Sequence, residues 1–288
     1  YIDAQGEQEL PAESVILAIG HSARDTFESL LAGGITLVQK PFSIGARIEH
    51  PQSLINASQY GAAASHPALG AADYKLALHL PGGRSVYTFC MCPGGTVVAA
   101  ASEPDSVVTN GMSYYARDGV NANSALLVGV GPEDFGSEHP LAGMFLQREI
   151  ERRAFVLGGR SGKAPCQTIG DLLSGRASGK LGVVEPSYKP GVVPCDLAEL
   201  LPSPLIGAMR EALPLLGRRL RGFDLPDAVL TGPETRSSSP VRISRDETFQ
   251  SVSTLGLYPC GEGAGYAGGI TSAAVDGVRC AEAILKAY

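Results

Sequence analysis

The sequence predicts an α/β fold that is interrupted by a larger inserted domain of α+β, largely antiparallel β character. Residues 14–20 are a short apolar run that ends in glycine, and residues 257–260 are a second run that glycine follows; a helical pattern comes after each. Between them the chain changes to short alternating strands and Gly/Pro turns, which is typical of antiparallel sheet. We therefore assign 1–39 and 228–288 to one domain and 40–227 to an insertion.

Composition is that of a globular protein and excludes several classes of function. The 288 residues are 44% hydrophobic and 18% charged, with a net charge of −6 and no Lys/Arg-rich run, so we expect no nucleic-acid partner. No apolar run approaches the ~18 residues of a membrane helix, so we expect no membrane partner. The six cysteines include no C-x-x-C pair, which favours a cytoplasmic protein without a metal site. A small-molecule substrate is the expected partner, and the oligomeric state stays open.

The first α/β segment opens with a predicted strand, 14–20, which we expect to be buried on both faces. A helix over 25–32 follows, and Gly33 and Gly34 end it. A strand that ends in glycine, here Gly20, is where open α/β sheets bind ligands. His21 comes next, and it is either a hydrogen-bonded structural residue, which is commoner at such turns, or a catalyst.

In the middle of the chain, residues 73–80, 84–92 and 96–101 alternate between apolar and polar and are joined by glycine turns, which predicts a three-stranded antiparallel meander. Cys90 and Cys92 lie two apart in its second strand, so both sulfurs are expected on one side. They are either a redox pair or two small core residues, and buried structural cysteines are the commoner case.

Two helices and a polar loop complete the inserted region. The pattern predicts helices over 141–157 and from Ser203 onward, and we expect Pro214 to kink or break the second. Asn110 opens a polar, aromatic loop.

The segment 257–270 predicts a strand, a glycine-rich turn and a helix start; we call residues 261–269 the glycine turn. Glycine lacks a Cβ, so a flat ring or a phosphate can lie against bare peptide groups. The N–H groups and dipole of the following helix favour negative charge. Glu262 can accept a hydrogen bond from a sugar or polyol hydroxyl. The alternative is a turn that only packs a helix closely on a sheet.

Before this segment, residues 228–231 predict a short buried strand and 232–246 a polar crossover. Arg236, Ser238 and Arg242 lie in the crossover. A guanidinium offers a planar fork to carboxylate or carbonyl oxygens, so these residues are candidate anion contacts, unless they are ordinary surface groups.

Several segments together resemble a known family, the bacterial FAD-dependent oxidoreductases described as predicted NAD(FAD)-utilising dehydrogenases. The similar segments are residues 15–26, 40–42, 87–95, 108–119, 235–242 and the glycine turn. The resemblance implies an FAD/NAD(P)-binding Rossmann-like domain, incomplete here, that is interrupted by a substrate or cap domain. It also implies FAD as cofactor, with NAD(P)H as a candidate electron donor.

The resemblance also implies roles for residues of this chain. Ala18 and Gly20 resemble a strand-end motif that passes near the cofactor. Gly261, Glu262 and Gly263 resemble the second FAD fingerprint, in which the acidic residue holds a ribityl hydroxyl. Gly268, Gly269 and Ile270 are then expected under the pyrimidine side of the flavin. The substrate-facing or flavin-facing candidates are Arg236, Ser238, Arg242, Cys90, Cys92 and Asn110.

Two departures from the family pattern affect these expectations. Many flavoproteins have Asp where this chain has Glu262. The dinucleotide-binding G-x-G-x-x-G is absent, so we expect an upstream part and weak or no FAD binding by these 288 residues alone. No catalytic acid or base is assigned. The alternatives to an oxidoreductase are a non-catalytic binding or scaffold protein and a flavoprotein that modifies RNA.

Overall fold

A computed structural model of the chain describes residues 2–287. Its strands, numbered in chain order, are β1 Ile2–Asp3, β2 Gly6–Glu7, β3 Val15–Leu17, β4 Leu37–Gln39, β5 Phe42–Pro51, β6 Ala77–His79, β7 Ser85–Cys92, β8 Gly95–Ala99, β9 Thr109–Ser113, β10 Asn121–Val130, β11 Ala164–Thr168, β12 Val192–Pro194, β13 Val229–Glu234, β14 Val241–Ile243 and β15 Leu257–Pro259. Its α-helices are α1 Arg24–Ala32, α2 Gln52–Tyr60, α3 Ala142–Leu157, α4 Ile169–Ser174, α5 Ser203–Arg219 and α6 Ile270–Ala287. None of these described helices is long and apolar enough to cross a bilayer.

The chain divides into two compact units, each built from separate stretches of sequence. The first unit comprises Tyr1–Pro41, Phe135–Met144 and Ser238–Tyr288. The second comprises Phe42–Asp134 and Phe145–Ser237.

The second unit is built on a seven-stranded sheet with the order β12-β11-β13-β5-β10-β7-β6. Neighbouring strands are antiparallel except for the parallel pair β11 and β12. The architecture is therefore mixed α/β with a mostly antiparallel sheet. Strands β5 and β10 are buried on both faces. Helix α5 packs on β10, β7 and β6, helix α2 packs on β5 and β10, and the strand pair β8–β9 also contacts β10.

The predicted meander is correct for its first two strands and wrong for the third. Strands β6 and β7 pair antiparallel, but β8 pairs with β9, and the other edge of β7 is taken by β10. The long apolar strand β10 occupies the edge of β7 that β8 was expected to take. The turn before β8, in which Gly94 has a φ of 49°, directs β8 to pair with β9 instead. A Cβ at Gly95 would lie 2.5 Å from the Met112 carbonyl oxygen, so glycine is required where β8 meets β9.

One further expectation about a single element differs from the structure. Strand β13 lies between β11 and β5 in the second unit, although the sequence division placed residues 228–288 with the first. A short strand buried on both faces carries no periodicity that indicates which sheet it joins. At Pro214, where a kink or a break was expected, the break does not occur, because α5 runs through the proline with buried apolar residues on both sides of it.

In the first unit, β3 pairs with β15 in parallel and β4 pairs with β14 in antiparallel orientation. The helices predicted over 25–32 and after the glycine turn are confirmed as α1 and α6. The core of this unit consists of Phe27, Leu37, Leu141, Met144, Val241, Ile243 and Ala264. The expectation that β3 is buried on both faces is wrong: Val15 is 44% and Ile16 46% exposed, because β15 is the one strand that pairs with β3 among the described residues.

Candidate functional site

The parallel strands β3 and β15 bring the ends of the first unit's two α/β segments together. Val15 is in register with Leu257 and Leu17 with Pro259. Because parallel strands end at the same edge of a sheet, the residues after β3 and the glycine turn after β15 become neighbours. The sequence predicted cofactor contacts in both stretches, at Ala18 and Gly20 and at Gly261 to Ile270.

The contact between the two turns requires glycine. A Cβ added at Gly263 would lie 2.4 Å from the carbonyl oxygen of Gly20, which is a backbone atom that cannot move aside. Gly20 has a φ of 71° and Gly261 a φ of 75°, a region that favours glycine. These glycines therefore have a packing function in addition to any ligand contact.

His21 and Glu262 form the polar pair of this edge. His21 Nδ1 lies 3.2 Å from Glu262 Oε1, and the two side chains are 22% and 23% exposed. The structure therefore places His21 as a hydrogen-bonded partner of the predicted ribityl-binding carboxylate. Glu262 is oriented through one of its carboxylate oxygens at the edge where β3 and β15 end.

Lys40 interacts electrostatically with this carboxylate and with Arg242. Lys40 Nζ donates to the Ser239 carbonyl oxygen at 3.4 Å. Burial and the charge of Arg242 lower the pKa of Lys40, while Glu262 opposes the shift. Arg242 is exposed and its guanidinium lies 5.2 Å from the centre of the Tyr266 ring. Ser238 is half-buried in the same unit.

Sequence reasoning missed Lys40 as a site residue. Its only signal was its place in the family-like segment 40–42. Neither the proximity of Lys40 to Arg242 in the folded protein nor the burial of Lys40 can be inferred from that pattern.

Beyond the polar pair, the backbone is open. Cβ atoms added at Gly20, Gly268 and Gly269 would meet no protein atom within 4 Å. The glycine turn leads directly into α6, and Ile270 at its start is 93% exposed. Bare peptide groups in open space at the N-terminus of a long helix suit a flat or anionic ligand, so the residues present fit the group that the resemblance implies.

A buried ion pair is hydrogen-bonded to the backbone of the glycine turn. Arg245 Nη2 lies 2.6 Å from Asp276 Oδ1, and Gly261 N–H donates to Asp276 Oδ2 at 2.7 Å. Burial alone would raise the pKa of Asp276, but Arg245 and the Gly261 N–H together hold it below its ordinary value. Arg245 also lies 3.7 Å from the centre of the Tyr266 ring. The conformation of the turn is therefore coupled to α6, which carries Asp276.

Next to this pair, two thiols complete a group with the composition of a metal site. Ligand-type atoms of Cys260, Asp276 and Cys280 all lie within 4.8 Å of one another. Arg245 Nη1 lies 3.4 Å from Cys280 Sγ as well as 2.9 Å from Asp276 Oδ2. A metal cation would have to compete with this guanidinium, so we interpret the group as a structural ion pair with two adjacent thiols.

The remaining candidates lie in the second unit, where Arg47 organises several of them. Arg47 is 0% exposed and forms two hydrogen bonds to Glu234. It also donates to the side-chain oxygen of Asn110 and to the Cys90 carbonyl oxygen, each at 2.8 Å. Asn110 is thus a partner of a buried guanidinium. Asn110 was a candidate from the sequence, whereas Arg47 was not, because its partners Glu234 and Asn110 lie far from it along the chain.

Arg236 is held in a separate ion pair of the second unit. Its guanidinium donates to both carboxylate oxygens of Glu151, with Nη2 at 2.9 Å, and also contacts Ser102. The two charged side chains are 7% and 0% exposed. Arg236 is therefore already neutralised by a buried carboxylate, whereas Arg242 is exposed.

A cavity of about 550 Å³ also lies in the second unit, and sequence reasoning did not detect it. Asn121 and Ser187 are among its lining residues, and both donate to the buried carboxylate of Glu49. Burial raises the pKa of Glu49, while these hydrogen bonds oppose the shift. The sequence did not indicate this arrangement, because Asn121 and Ser187 lie far from Glu49 along the chain.

Comparison with known proteins gives a match that begins and ends within one residue of the second unit's bounds and also includes residues 135–144 of the first unit. A family model described as "FAD-dependent protein, C-terminal domain-like" matches residues 41–237. The chain belongs to this family. A protein of Clostridium beijerinckii (strain ATCC 51743 / NCIMB 8052), described as an uncharacterized protein, is 52% identical to this chain over 280 residues. That alignment covers 97% of this chain and 52% of the relative, so the chain spans about half of the relative's length.

Proposed function

We propose that this chain forms the flavin and ribityl end of the cofactor site in an FAD-dependent oxidoreductase, with the first unit as an incomplete Rossmann-like FAD-binding domain. The observation that carries the proposal is the open glycine backbone at the start of α6, next to the His21–Glu262 pair. The family match supports a flavin-related protein.

The residues at this edge would each contact a different part of the cofactor. Glu262 would accept a hydrogen bond from a ribityl hydroxyl, with His21 holding the carboxylate in position. Gly268 and Gly269, at the N-terminus of α6, would lie against the pyrimidine end of the flavin, where the helix dipole favours negative charge. Gly20 would approach the cofactor from the end of β3.

When bound, the flavin supplies the redox chemistry by accepting or giving a hydride or single electrons. The protein's own contribution is positioning and charge. Lys40, whose pKa is lowered by burial and by Arg242, is the group that we assign to exchange a proton near the ligand. Arg242 would attract a carboxylate or carbonyl oxygen of the substrate. NADH or NADPH is the candidate electron donor.

The test uses the natural gene product that contains these 288 residues. We expect it to purify with bound FAD, visible as flavin absorbance and identified after release. The Glu262→Gln variant is expected to bind FAD about tenfold more weakly, because a neutral amide accepts a weaker hydrogen bond than a carboxylate. Glu282→Gln, at an exposed position of α6, is the matched control and should bind like the unchanged protein.

Catalysis needs a second measurement. Under anaerobic conditions, NADH or NADPH is expected to bleach the flavin absorbance of the purified protein. Bound FAD that no nicotinamide or dithiol reductant can bleach would favour a non-catalytic scaffold instead. Absence of FAD from the purified protein, with no uptake during titration, would refute the cofactor assignment itself.

A further inference from the structure

The two cysteines of β7 lie where this strand loses its regular alternation. Asn123 of β10 pairs with Cys92 and Ala125 with Phe89, so two residues of β7, Cys90 and the next one, oppose a single residue of β10. Cys90 has a φ of 44°, which is uncommon for a residue other than glycine. This β-bulge turns Cys90 outward although the preceding alternation would bury it, so Cys90 is not a small core residue.

Cys92 is folded back toward Cys90. Its thiol donates to the Cys90 carbonyl oxygen, with 3.3 Å between Sγ and O. The same oxygen accepts a hydrogen bond from the buried guanidinium of Arg47 at 2.8 Å. Arg47 is itself held by Glu234, so the backbone that carries the two thiols is supported by a buried ion pair. Backbone in a sparsely populated conformation that is held this firmly is typical of functional positions.

Exposure distinguishes Cys90 from the other cysteines, all of which lie in the described part of the chain. Cys90 is exposed, Cys92 and Cys195 are intermediate, and Cys166, Cys260 and Cys280 are buried. Burial raises the pKa of Cys166 and of Cys280 to about 12, which makes these thiols poor nucleophiles. A small molecule in solution therefore reaches Cys90 first.

We propose that Cys90 and Cys92 are an accessible dithiol pair that exchanges with low-molecular-weight disulfides. The Cys90 thiolate attacks one sulfur of the small disulfide, which releases one thiol and leaves a mixed disulfide on Cys90. The Cys92 thiolate then attacks the Cys90 sulfur, a Cys90–Cys92 disulfide forms, and the second small thiol leaves. One small disulfide is reduced to two thiols while the two cysteines are oxidised, so atoms and electrons balance.

Burial raises the pKa of Cys92, with Arg47 opposing, so the thiolate of the second step is scarce at neutral pH. The closing step is therefore expected to accelerate as pH rises through the neutral and mildly alkaline range. The exchange depends only on residues of the second unit, so it can be tested with or without FAD and its outcome is separate from that of the proposed function.

The experiment treats the reduced 288-residue protein with oxidised glutathione, blocks remaining thiols with iodoacetamide and maps the cysteines by mass spectrometry. Trypsin cleaves after Arg84 and Arg117 with no Lys or Arg between, so one peptide carries Cys90 and Cys92 and no other cysteine. We expect this peptide to appear unalkylated and lighter by two hydrogen atoms. Dithiothreitol should restore the mass of the reduced peptide.

Three variants test which cysteine attacks the small disulfide and which one resolves the mixed disulfide. In Cys92→Ser the glutathione adduct should persist on Cys90, because no second thiol resolves it. In Cys90→Ser, Cys92 should react about tenfold more slowly than Cys90 does in the unchanged protein, because it is half-buried. Cys166→Ser alters a buried cysteine elsewhere in the sheet and should leave the exchange unchanged.

Two results would overturn the proposal. One is complete alkylation of both cysteines after exposure to oxidised glutathione. The other is a glutathione adduct that persists on Cys90 when Cys92 is present. Far-ultraviolet circular dichroism of each variant, matched to that of the unchanged protein, shows that the fold has survived the substitution.

Discussion

His21 Nδ1 lies 3.2 Å from Glu262 Oε1, although 241 positions separate the two residues in the chain. The pair links the turn after β3 with the turn after β15. Because both side chains are about three-quarters buried, we expect a modest coupling in stability. A double-mutant cycle of His21→Ala and Glu262→Gln, measured by urea unfolding, should show a coupling energy of about 0.5–1 kcal/mol. Additive effects of the two substitutions would show that the contact is absent in solution.

Substitutions at two glycines of the same turn should have different effects, one on stability and the other on ligand binding. Gly263→Ala places a methyl group 2.4 Å from the Gly20 carbonyl oxygen, so we expect a loss of about 2 kcal/mol or more in the free energy of unfolding. Gly268→Ala meets no protein atom within 4 Å, so stability should change by less than about 0.5 kcal/mol. If Gly268 faces the flavin, Gly268→Ala should nevertheless weaken FAD binding in the natural gene product. Equal thermal stability of the two variants would contradict the close approach of the turns.

The buried pair Arg245–Asp276 should be costly to break. Asp276→Asn leaves a buried guanidinium without its carboxylate, and we expect the free energy of unfolding to fall by about 3–5 kcal/mol. Glu149→Gln removes the carboxylate of a solvent-exposed i,i+4 pair with Arg153 and is the contrast, with an expected loss below about 0.5 kcal/mol. Urea unfolding of both variants under the same conditions gives the comparison, and similar losses would refute the burial argument.

His50 should make the protein sensitive to acid. Burial lowers the pKa of His50 to about 4, from the ordinary value of 6.5. Between these values the unfolded chain binds the proton more readily than the folded one, so stability falls as pH decreases from 6.5 toward 4. The full effect is about 3 kcal/mol. His50→Gln should remove this part of the pH dependence of urea unfolding, whereas His66→Gln, at an exposed position, should retain it. An unchanged slope in His50→Gln would contradict the prediction.

The pKa of Lys40 should respond to its two charged neighbours in opposite directions. Arg242→Gln removes a cation and should raise the pKa of Lys40, and Glu262→Gln removes an anion and should lower it. The pH dependence of amine acetylation, followed by mass spectrometry of the Lys40 peptide, measures both shifts. The exposed Lys75 provides the internal reference for the extent of acetylation in all three proteins. Shifts of the same sign in the two variants would be incompatible with this arrangement of charges.

Long periodic or apolar segments were predictable from sequence, whereas the pairing partners of the strands were harder to predict. Helices α1 and α6 and the strands β7 and β15 follow from local patterns. The partner of β8 was predicted wrongly, because the alternation of a strand shows which face is buried but not which neighbour it pairs with.

The candidate site shows the same division at the level of residues. Glu262 and the glycines around it were identified from sequence, because a carboxylate between glycines at a helix start has a local signature. Lys40 and Arg47 were missed, because their roles depend on residues far away in the chain. For Cys90 and Cys92 the spacing was visible, whereas the bulge that exposes Cys90 was not.

The sequence by itself therefore determined helices α1, α3, α5 and α6, strands β3, β7, β13 and β15 and the glycine turn, since propensity, periodicity and missing Cβ atoms act over a few neighbouring residues. The tertiary structure decided which strands pair, that His21 holds Glu262, that Arg47 is neutralised by Glu234 and that Cys90 is exposed. Those outcomes depend on burial and charge contacts between distant segments, and such contacts exist only once the chain has folded.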